Sequence, residues 1–320
     1  MSKNKTFKSL TPIYGPVPSR RLGFSLGIDI LPLKTCSFSC VYCQLGRTTR
    51  KTVKRREYIP VKEILSQIKK ILASKQRIDY ITFSGSGEPT LNTAISRLIR
   101  EIKKMTSIPV AVLTNSSLFS RKEVRRALLE ADLVIPSLDA ASPEVFSRVN
   151  RPHSSLQIEK IINGLKNFRK EYKGKIWLEI MLVKGINDKP SDLRKLKEAI
   201  ASIQPDKVQL NTVIRPPAEK FALPLSPEEL KKIRRFLGGN CEIIADFKKR
   251  EQLPSPESLE KAILSLTRRR PVTLEDIASS LGKSEGKIKN AVQSLLEKRK
   301  LKFINYKEKI YYRPEFRSPR

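Results

Sequence analysis

From about residue 24 to residue 246 the chain alternates between short apolar runs and amphipathic stretches. The runs FSLGIDIL (24–31), IDYITFSG (78–85), PVAVLTN (109–115), DLVIPSL (132–138), KIWLEIMLV (175–183) and DKVQLNT (206–212) are mostly continuous, the pattern of strands buried on both faces. Between them VKEILSQIKKILAS (61–74), LNTAISRLIREIKKM (91–105) and SDLRKLKEAIASI (191–203) carry apolar residues at helical spacing. Six such strand–helix units predict an α/β fold with a parallel sheet, curved into a partial (β/α)6 barrel of TIM type. An open doubly wound sheet is the alternative. A seventh run, CEIIADF (241–247), would add an edge strand.

The pattern changes at QLPSPES (252–258), whose prolines and serines mark a linker. The expected division is a barrel domain over residues 1–251, a linker over 252–257 and a small domain over 258–320. In the last of these, SLEKAILSLTRR (258–269) reads as a helix. TLEDIASSLG (273–282) reads as a second, opened by Thr273 with Asp276 three residues on and closed by Gly282. SEGKIKNAVQSLLEKRK (284–300) reads as a third, capped by Ser284, and LKFINYKEKIYYRP (301–314) as a hairpin turning at Lys307–Glu308–Lys309. Three helices and a hairpin resemble a winged helix-turn-helix.

Composition adds a partner class. The 320 residues hold 64 Lys and Arg against 32 Asp and Glu, a net charge of +32. Ion-pair networks would raise both signs together, so the excess points to a polyanionic partner. No stretch approaches the length of a transmembrane helix, and the basic N-terminus never enters the apolar region of a secretory signal. No membrane association is expected, and the expected location is cytoplasmic.

Three of the four cysteines lie within TCSFSCVYCQLG, where Cys36, Cys40 and Cys43 form a C-x3-C-x2-C pattern after the first strand run. Such clustering in a cytosolic chain points to metal rather than to disulfides. Three thiolates on one loop can hold a four-iron cluster with one iron left open. Zinc is the alternative, but structural zinc takes four closed ligands, and only the distant Cys241 and His153 remain for the fourth. Cys241 itself reads as a buried apolar cysteine.

Around these cysteines the sequence resembles the radical SAM superfamily, whose signature C-x3-C-x-aromatic-C is filled here with Tyr42 in the aromatic slot. The resemblance covers roughly residues 15 to 220. It implies a [4Fe-4S] cluster on Cys36, Cys40 and Cys43. The open iron would chelate S-adenosyl-L-methionine, whose reductive cleavage yields a 5′-deoxyadenosyl radical, and an electron donor such as ferredoxin or flavodoxin is implied as well. FSGSGEPTLN stands at the family's Gly-Gly-Glu segment, with Gly85, Gly87 and Glu88 as expected contacts to the methionine moiety and Ser86 where the first glycine is usual. Asn115 and Ser137 with Asp139, at the ends of the third and fourth strand runs, fall where the family often contacts the cofactor; turn capping is the plainer reading of Asn115 and Asp139. Arg151, His153, Glu179, Asn211 and Arg215 are candidates to line a substrate pocket or simply to order loops. Arg20 and Arg21, in PSRRLG (18–23), are candidates to close the barrel or clamp a phosphate.

The segments GPVPSRRLG, SGSGEPTLN and QLNTVIRPPAE, with the cysteine loop, further resemble a branch grouped with wyosine-type tRNA synthetases, without the second set of cysteines those carry. Residues 255–320 hold 16 Lys and Arg against 8 Asp and Glu, close to the charge density of the rest, as an RNA track crossing both domains would need. Lys283, Lys287, Lys289, Lys298, Arg299, Lys300, Lys302, Lys307 and Lys309, interleaved with Tyr306, Tyr311 and Tyr312, are the expected contacts. The expected function is therefore modification of RNA, in particular tRNA. The alternative is a radical SAM enzyme acting on a protein or small molecule, with the C-terminal unit as a regulatory or docking module.

Overall fold

The computed structural model describes residues 12–74, 76–244 and 259–315. It opens with a hairpin, β1 (Ile13–Ser19) against β2 (Gly23–Ile28), in antiparallel register with Ser19 opposite Gly23. The short strands β3 (Thr35–Cys36) and β4 (Arg50–Lys51) pair with each other. Helix α1 (Val61–Ala73), β5 (Tyr80–Phe83), a 3-10 turn (Pro89–Leu91), α2 (Ile95–Met105), β6 (Val110–Thr114), α3 (Lys122–Ala127) and β7 (Leu133–Pro136) follow. Then come α4 (Pro143–Asn150), α5 (Ile158–Glu171), β8 (Lys175–Leu182), α6 (Pro190–Ile203), β9 (Lys207–Thr212), α7 (Pro227–Leu237) and β10 (Cys241–Ile243).

Eight strands form one sheet in the order β1-β2-β5-β6-β7-β8-β9-β10, parallel throughout except for β1. All six runs predicted as strands are in it, and the expected edge strand is β10; residues 245–247 of that run lie outside the described residues. β1 is an addition. Its sequence IYGPVPS carries a glycine and two prolines, which remove ladder donors, and such a segment pairs stably only where one side needs no partner. β1 is that edge.

The curved sheet is filled by a core running from Leu26 and Ile28 through Ile81, Phe83, Val112, Val134, Leu178 and Leu210. The helices close it with single apolar stripes. On α2 the buried positions are Ile95, Leu98, Ile99 and Ile102, at spacings of three and four; each buries about 1.5–3 kcal/mol of hydrophobic stabilisation. This helix starts four residues later than the pattern predicted. Asn92 accepts a hydrogen bond from the Ala94 amide (2.9 Å) and donates to the Ile30 carbonyl (2.9 Å), which holds the preceding segment as a turn.

The C-terminal unit consists of α8 (Leu259–Arg269), α9 (Leu274–Leu281), α10 (Glu285–Glu297) and a hairpin of β11 (Leu301–Tyr306) and β12 (Lys309–Pro314), around its own core of Ile263, Ile277, Ile288, Val292 and Leu295. The predicted signals of α9 are present. Thr273 and Asp276 form a reciprocal capping box, and Gly282 ends the helix with φ of 62°. The predicted linker lies outside the described residues. Among the described residues no helix is long and apolar enough to cross a membrane.

The unit packs against the barrel between β1 and the loop after β9. Val17 joins its core, Arg215 donates to the Pro271 carbonyl (2.8 Å) and lies 3.5 Å from Asp276, and the Tyr306 and Tyr311 hydroxyls donate to the carbonyls of Val213 (3.3 Å) and Ile214 (3.0 Å). Tyr312 is buried. This corrects one expectation. The three tyrosines hold the unit together and to the barrel, so they do not form an aromatic face for nucleic acid.

Candidate active site

The cysteine loop is positioned by the residues between its cysteines. Phe38 and Val41 are buried in the barrel core, and Phe38 meets Phe146 edge-on at 5.3 Å. Backbone bonds from Ser39 to Asn150 (3.0 Å) and from Val41 to Val149 (3.0 Å) fasten the loop to the end of α4. With the apolar side chains turned inward, the half-buried thiols are presented together. Asn115 donates to Cys36 Sγ (3.4 Å) and Asn150 to Cys40 Sγ (3.5 Å). Burial pushes the Cys36 thiol up to about 12, and it raises Cys40 and Cys43 as well. Without metal the site holds protons, and iron would displace them. Lys34 supplies a buried ammonium beside Cys36 and Cys43, donating to the Leu45 carbonyl (2.6 Å).

A tighter grouping around a single ion does not occur. Among the described residues no three His, Cys, Asp or Glu side chains are gathered to hold one metal ion. Three thiols on one loop beside a buried cation fit a broader, anionic group such as an iron–sulfur cluster.

A cavity of about 350 Å3 is lined from Cys36 and the ends of the strands down to the β1–β2 turn, past Thr82 and Ser25. Its wall includes Gly85, Gly87, Glu88, Asn115 and Ser137, five of the seven residues expected to contact the cofactor. Gly87 is required by packing: a Cβ there would collide with the Thr35 carbonyl, where the backbone of the cysteine loop crosses it. At Gly85, φ is +149° and a Cβ would strike the Asp29 carboxylate. That carboxylate accepts from the Ser86 amide (3.0 Å) and hydroxyl (2.5 Å), so the serine in place of the family's glycine is matched by a partner on the β2 side of the sheet. Asp29 gave no signal in the sequence.

Glu88 is 1% exposed and already engaged. Its Oε1 accepts from the Thr90 amide (3.0 Å) and hydroxyl (2.6 Å) and from the Thr114 hydroxyl (2.6 Å), and its Oε2 accepts from the Asn115 amide (2.6 Å). It ties β5 to β6 and caps the 3-10 turn; Oε2 keeps the spare acceptor capacity. Burial nevertheless raises its pKa above the ordinary carboxylate value.

Tyr42 and Asp139 stand off the cavity wall. The Tyr42 hydroxyl donates to Asp139, which also accepts from Asn150 (2.7 Å) and from the Met181 amide (2.9 Å). Burial pushes the Asp139 carboxyl up to about 6. The pair braces the cysteine loop from behind. Arg151 is likewise a brace: with Arg47 it grips Glu219 (2.5 and 2.7 Å), and the Glu219 amide donates to the Val41 carbonyl (3.0 Å). His153 closes a local turn with Ser155 (2.9 Å). Cys241 is buried in the core, and burial raises its thiol to about 11.

Arg20 and Arg21 sit in the β1–β2 turn and reach across the open barrel. Arg21 pairs with Glu179 (2.8 Å), while Arg20 donates to Asn211 (3.3 Å) and to the Ile244 carbonyl (3.1 Å). Asn211 also donates to Glu179 (3.0 Å). Burial alone would raise the Glu179 carboxyl, but the Arg21 charge holds it below its ordinary value. The Arg20 bond to Ile244 crosses the seam between the edge strands β1 and β10, while Glu179 of β8 and Asn211 of β9 are held by Arg21 and Arg20 from the turn. Several cavity residues had no signal in the sequence, and two of them, Leu266 and Arg270, come from the C-terminal unit.

Comparison with known proteins agrees with this architecture. The model of the Radical SAM superfamily matches residues 30–196. A UPF0026 protein of Methanocaldococcus jannaschii is 36% identical over 97% of this chain and 98% of its own length. A protein of Brachyspira hyodysenteriae named GTPase Obg is 39% identical over 94% of this chain, which spans only 45% of that protein. Among solved structures, a radical SAM methyltransferase from Sphaerobacter thermophilus superposes with a TM-score of 0.54 at 18% identity, covering 68% of this chain and 65% of the other; that likeness concerns the fold. The cofactors of a radical SAM enzyme are a [4Fe-4S] cluster and S-adenosylmethionine, and a cysteine loop opening onto a cavity suits them. On the superfamily match over half its length, the chain belongs to the radical SAM superfamily and is a radical SAM enzyme.

Proposed function

We propose that Cys36, Cys40 and Cys43 hold the cluster, that Gly85, Gly87, Glu88, Asn115 and Ser137 line the seat of S-adenosylmethionine, and that the substrate is RNA. The observation that carries the site reading is the continuous wall joining Cys36 to those five residues in one cavity. The bound cofactors supply reductive cleavage of S-adenosylmethionine and hydrogen abstraction from the substrate. The protein's own residues position. Asn115 orients Cys36, Asn150 orients Cys40, and Tyr42 with Asp139 fixes the loop segment next to Cys43. Lys34 offsets negative charge gathered on the loop. A one-electron donor such as ferredoxin or flavodoxin would serve the site from outside.

The RNA reading is supported by the net charge of +32, spread over barrel and C-terminal unit alike. The use of Tyr306 and Tyr311 in docking favours a second reading, a small-molecule substrate in a cavity that the C-terminal unit helps to enclose. The site is tested by anaerobic purification. Cys36→Ala, Cys40→Ala and Cys43→Ala should each lose the cluster and 5′-deoxyadenosine formation, and Cys241→Ala should retain both. Full iron content in Cys40→Ala protein would overturn the ligand set. Sequencing of any copurifying RNA separates the two substrate readings.

A further inference from the structure

One end of the cavity is built from guanidinium groups. Arg20 and Arg21 of the β1–β2 turn line it, and Arg270, just beyond α8, lines it from the C-terminal unit. Arg215 lies close enough for its charge to act on Arg20, and Arg270 acts on both. The carboxylates acting on this group are Glu179, already paired with Arg21, and Asp276, 3.5 Å from Arg215. Among the interactions of the described residues, these two carboxylates are the ones that act on the arginines. Arg20, Arg21 and Arg215 have structural partners, but among the described residues Arg270 has neither a hydrogen bond nor an ion pair. Burial together with neighbouring like charge draws Arg215 down to about 9 and Arg20 to about 10. Arg20, Arg21 and Arg270 all face this concave space.

From this we infer that Arg270, with Arg20 and Arg21, forms a binding site for the phosphate group of the substrate, a site completed only when the C-terminal unit is docked on the barrel. Three guanidiniums on the wall of one cavity match a phosphate monoester dianion better than a single carboxylate. The planar, forked guanidinium is the side chain suited to gripping phosphate oxygens in pairs. Ser19, which caps the turn by accepting from the Arg21 and Leu22 amides (both 3.3 Å), holds the first two arginines in place. The C-terminal unit thus contributes to substrate recognition from inside the cavity. The inference rests on the proposed radical chemistry only in naming the ligand a substrate, since phosphate binding can be read without turnover.

The test titrates full-length, cluster-loaded protein calorimetrically with inorganic phosphate, a nucleoside 5′-monophosphate, its parent nucleoside and transfer RNA. The monophosphate should bind more tightly than the nucleoside, and inorganic phosphate should compete with it. Arg270→Gln should weaken monophosphate binding roughly tenfold or more, the loss expected for a charge-assisted, two-pronged contact. Arg270→Lys, which keeps the charge without the fork, should recover part of it. Lys160→Gln, on the exposed side of α5, should change nothing. If transfer RNA loses affinity in the same proportion, the phosphate belongs to RNA; if only the monophosphate does, it belongs to a free small molecule, and either outcome keeps the site. Equal monophosphate affinity in wild-type and Arg270→Gln protein, the same loss in Lys160→Gln, or no preference for monophosphate over nucleoside overturns it. Circular dichroism and the cluster's absorbance establish that each variant is folded and loaded. Cleavage of S-adenosylmethionine on the same samples reports separately on the radical chemistry.

Discussion

At the scale of single residues, Glu88 shows how a cofactor candidate can be a structural residue first. Its two oxygens serve four donors, from Thr90, Thr114 and Asn115. Glutamine has one oxygen, so whichever way the amide turns, at least one donor must face an N–H. Glu88→Gln should therefore destabilise the cluster-free protein by about 1–3 kcal/mol, the cost of leaving a buried donor unmet, as measured by denaturant unfolding. A loss of S-adenosylmethionine affinity beyond that would mark the cofactor role, and unchanged unfolding would contradict the bonding described. The sequence showed that Glu88 belonged at the site because its spacing after two glycines was visible. It could not show the partners, because Thr90 is an ordinary turn residue and Thr114 an ordinary strand-end residue until β5 and β6 are side by side. The same holds for Tyr42 and Asp139, expected as cofactor contacts from their spacing: the hydrogen bond between them could not be read until the cysteine loop met the end of β7. Asp29 and Arg270 were illegible for the converse reason: each acts on a segment remote in sequence, Ser86 in one case and the β1–β2 turn in the other.

At the scale of elements, strands and helices were legible wherever a run buried both faces or one stripe, because burial dictates composition. What escaped was set by backbone chemistry and tertiary contact. β1 hid behind its prolines, and the late start of α2 followed from side-chain bonds of Asn92. The loop 216–225 is another such element, held down on the cysteine loop through Glu219. There Arg47 and Arg151 lower the carboxyl from its ordinary 4.5 to about 2. Between those values the unfolded chain binds the proton and the folded one does not, so stability rises with pH across the window and is lost as the medium is acidified from 4.5 toward 2. Glu219→Gln, which has no proton to take up, should flatten this part of the profile when melting temperature is followed in acid. It should also loosen the cysteine loop at neutral pH, measured as faster loss of iron to a chelator. A variant with the wild-type acid profile would show that the clasp contributes nothing. Because Arg47 is largely exposed, solvent screening keeps the effect modest.

For the whole molecule, the question is what the net charge of +32 is for when so many guanidiniums are already engaged. Arg215 is committed to the docking surface, and Arg20 and Arg21 are bonded within the barrel, where they line the cavity. The cations left facing solvent on the C-terminal unit are mostly lysines, with Arg299 among them, and Lys307 and Lys309 at the hairpin tip are the most exposed of the hairpin set. Alternation along β11 decides which face they share. Ile304 and Tyr306 turn partly inward, and the Tyr306 hydroxyl bonds to barrel backbone, while Phe303, 58% exposed, and Asn305 face out. An RNA strand held here would meet lysines and one phenylalanine rather than the tyrosines the sequence suggested. Each phosphate contact removed should lower the slope of log affinity against log salt by about 0.7 for single strands and 0.9 for duplex. Replacing Lys302, Lys307 and Lys309 together with glutamine should therefore make tRNA binding shallower by roughly 2 to 3 units, with no change in iron content, since none of the three lines the cavity. Deleting the whole unit is the poorer experiment, because it would uncover Arg215 and Val17 and strip Leu266 and Arg270 from the cavity wall. Titrations of intact and triply substituted protein at several salt concentrations measure the slope directly. An unchanged slope would take the hairpin out of RNA binding and leave the unit's work at the cavity, where Arg270 already places it.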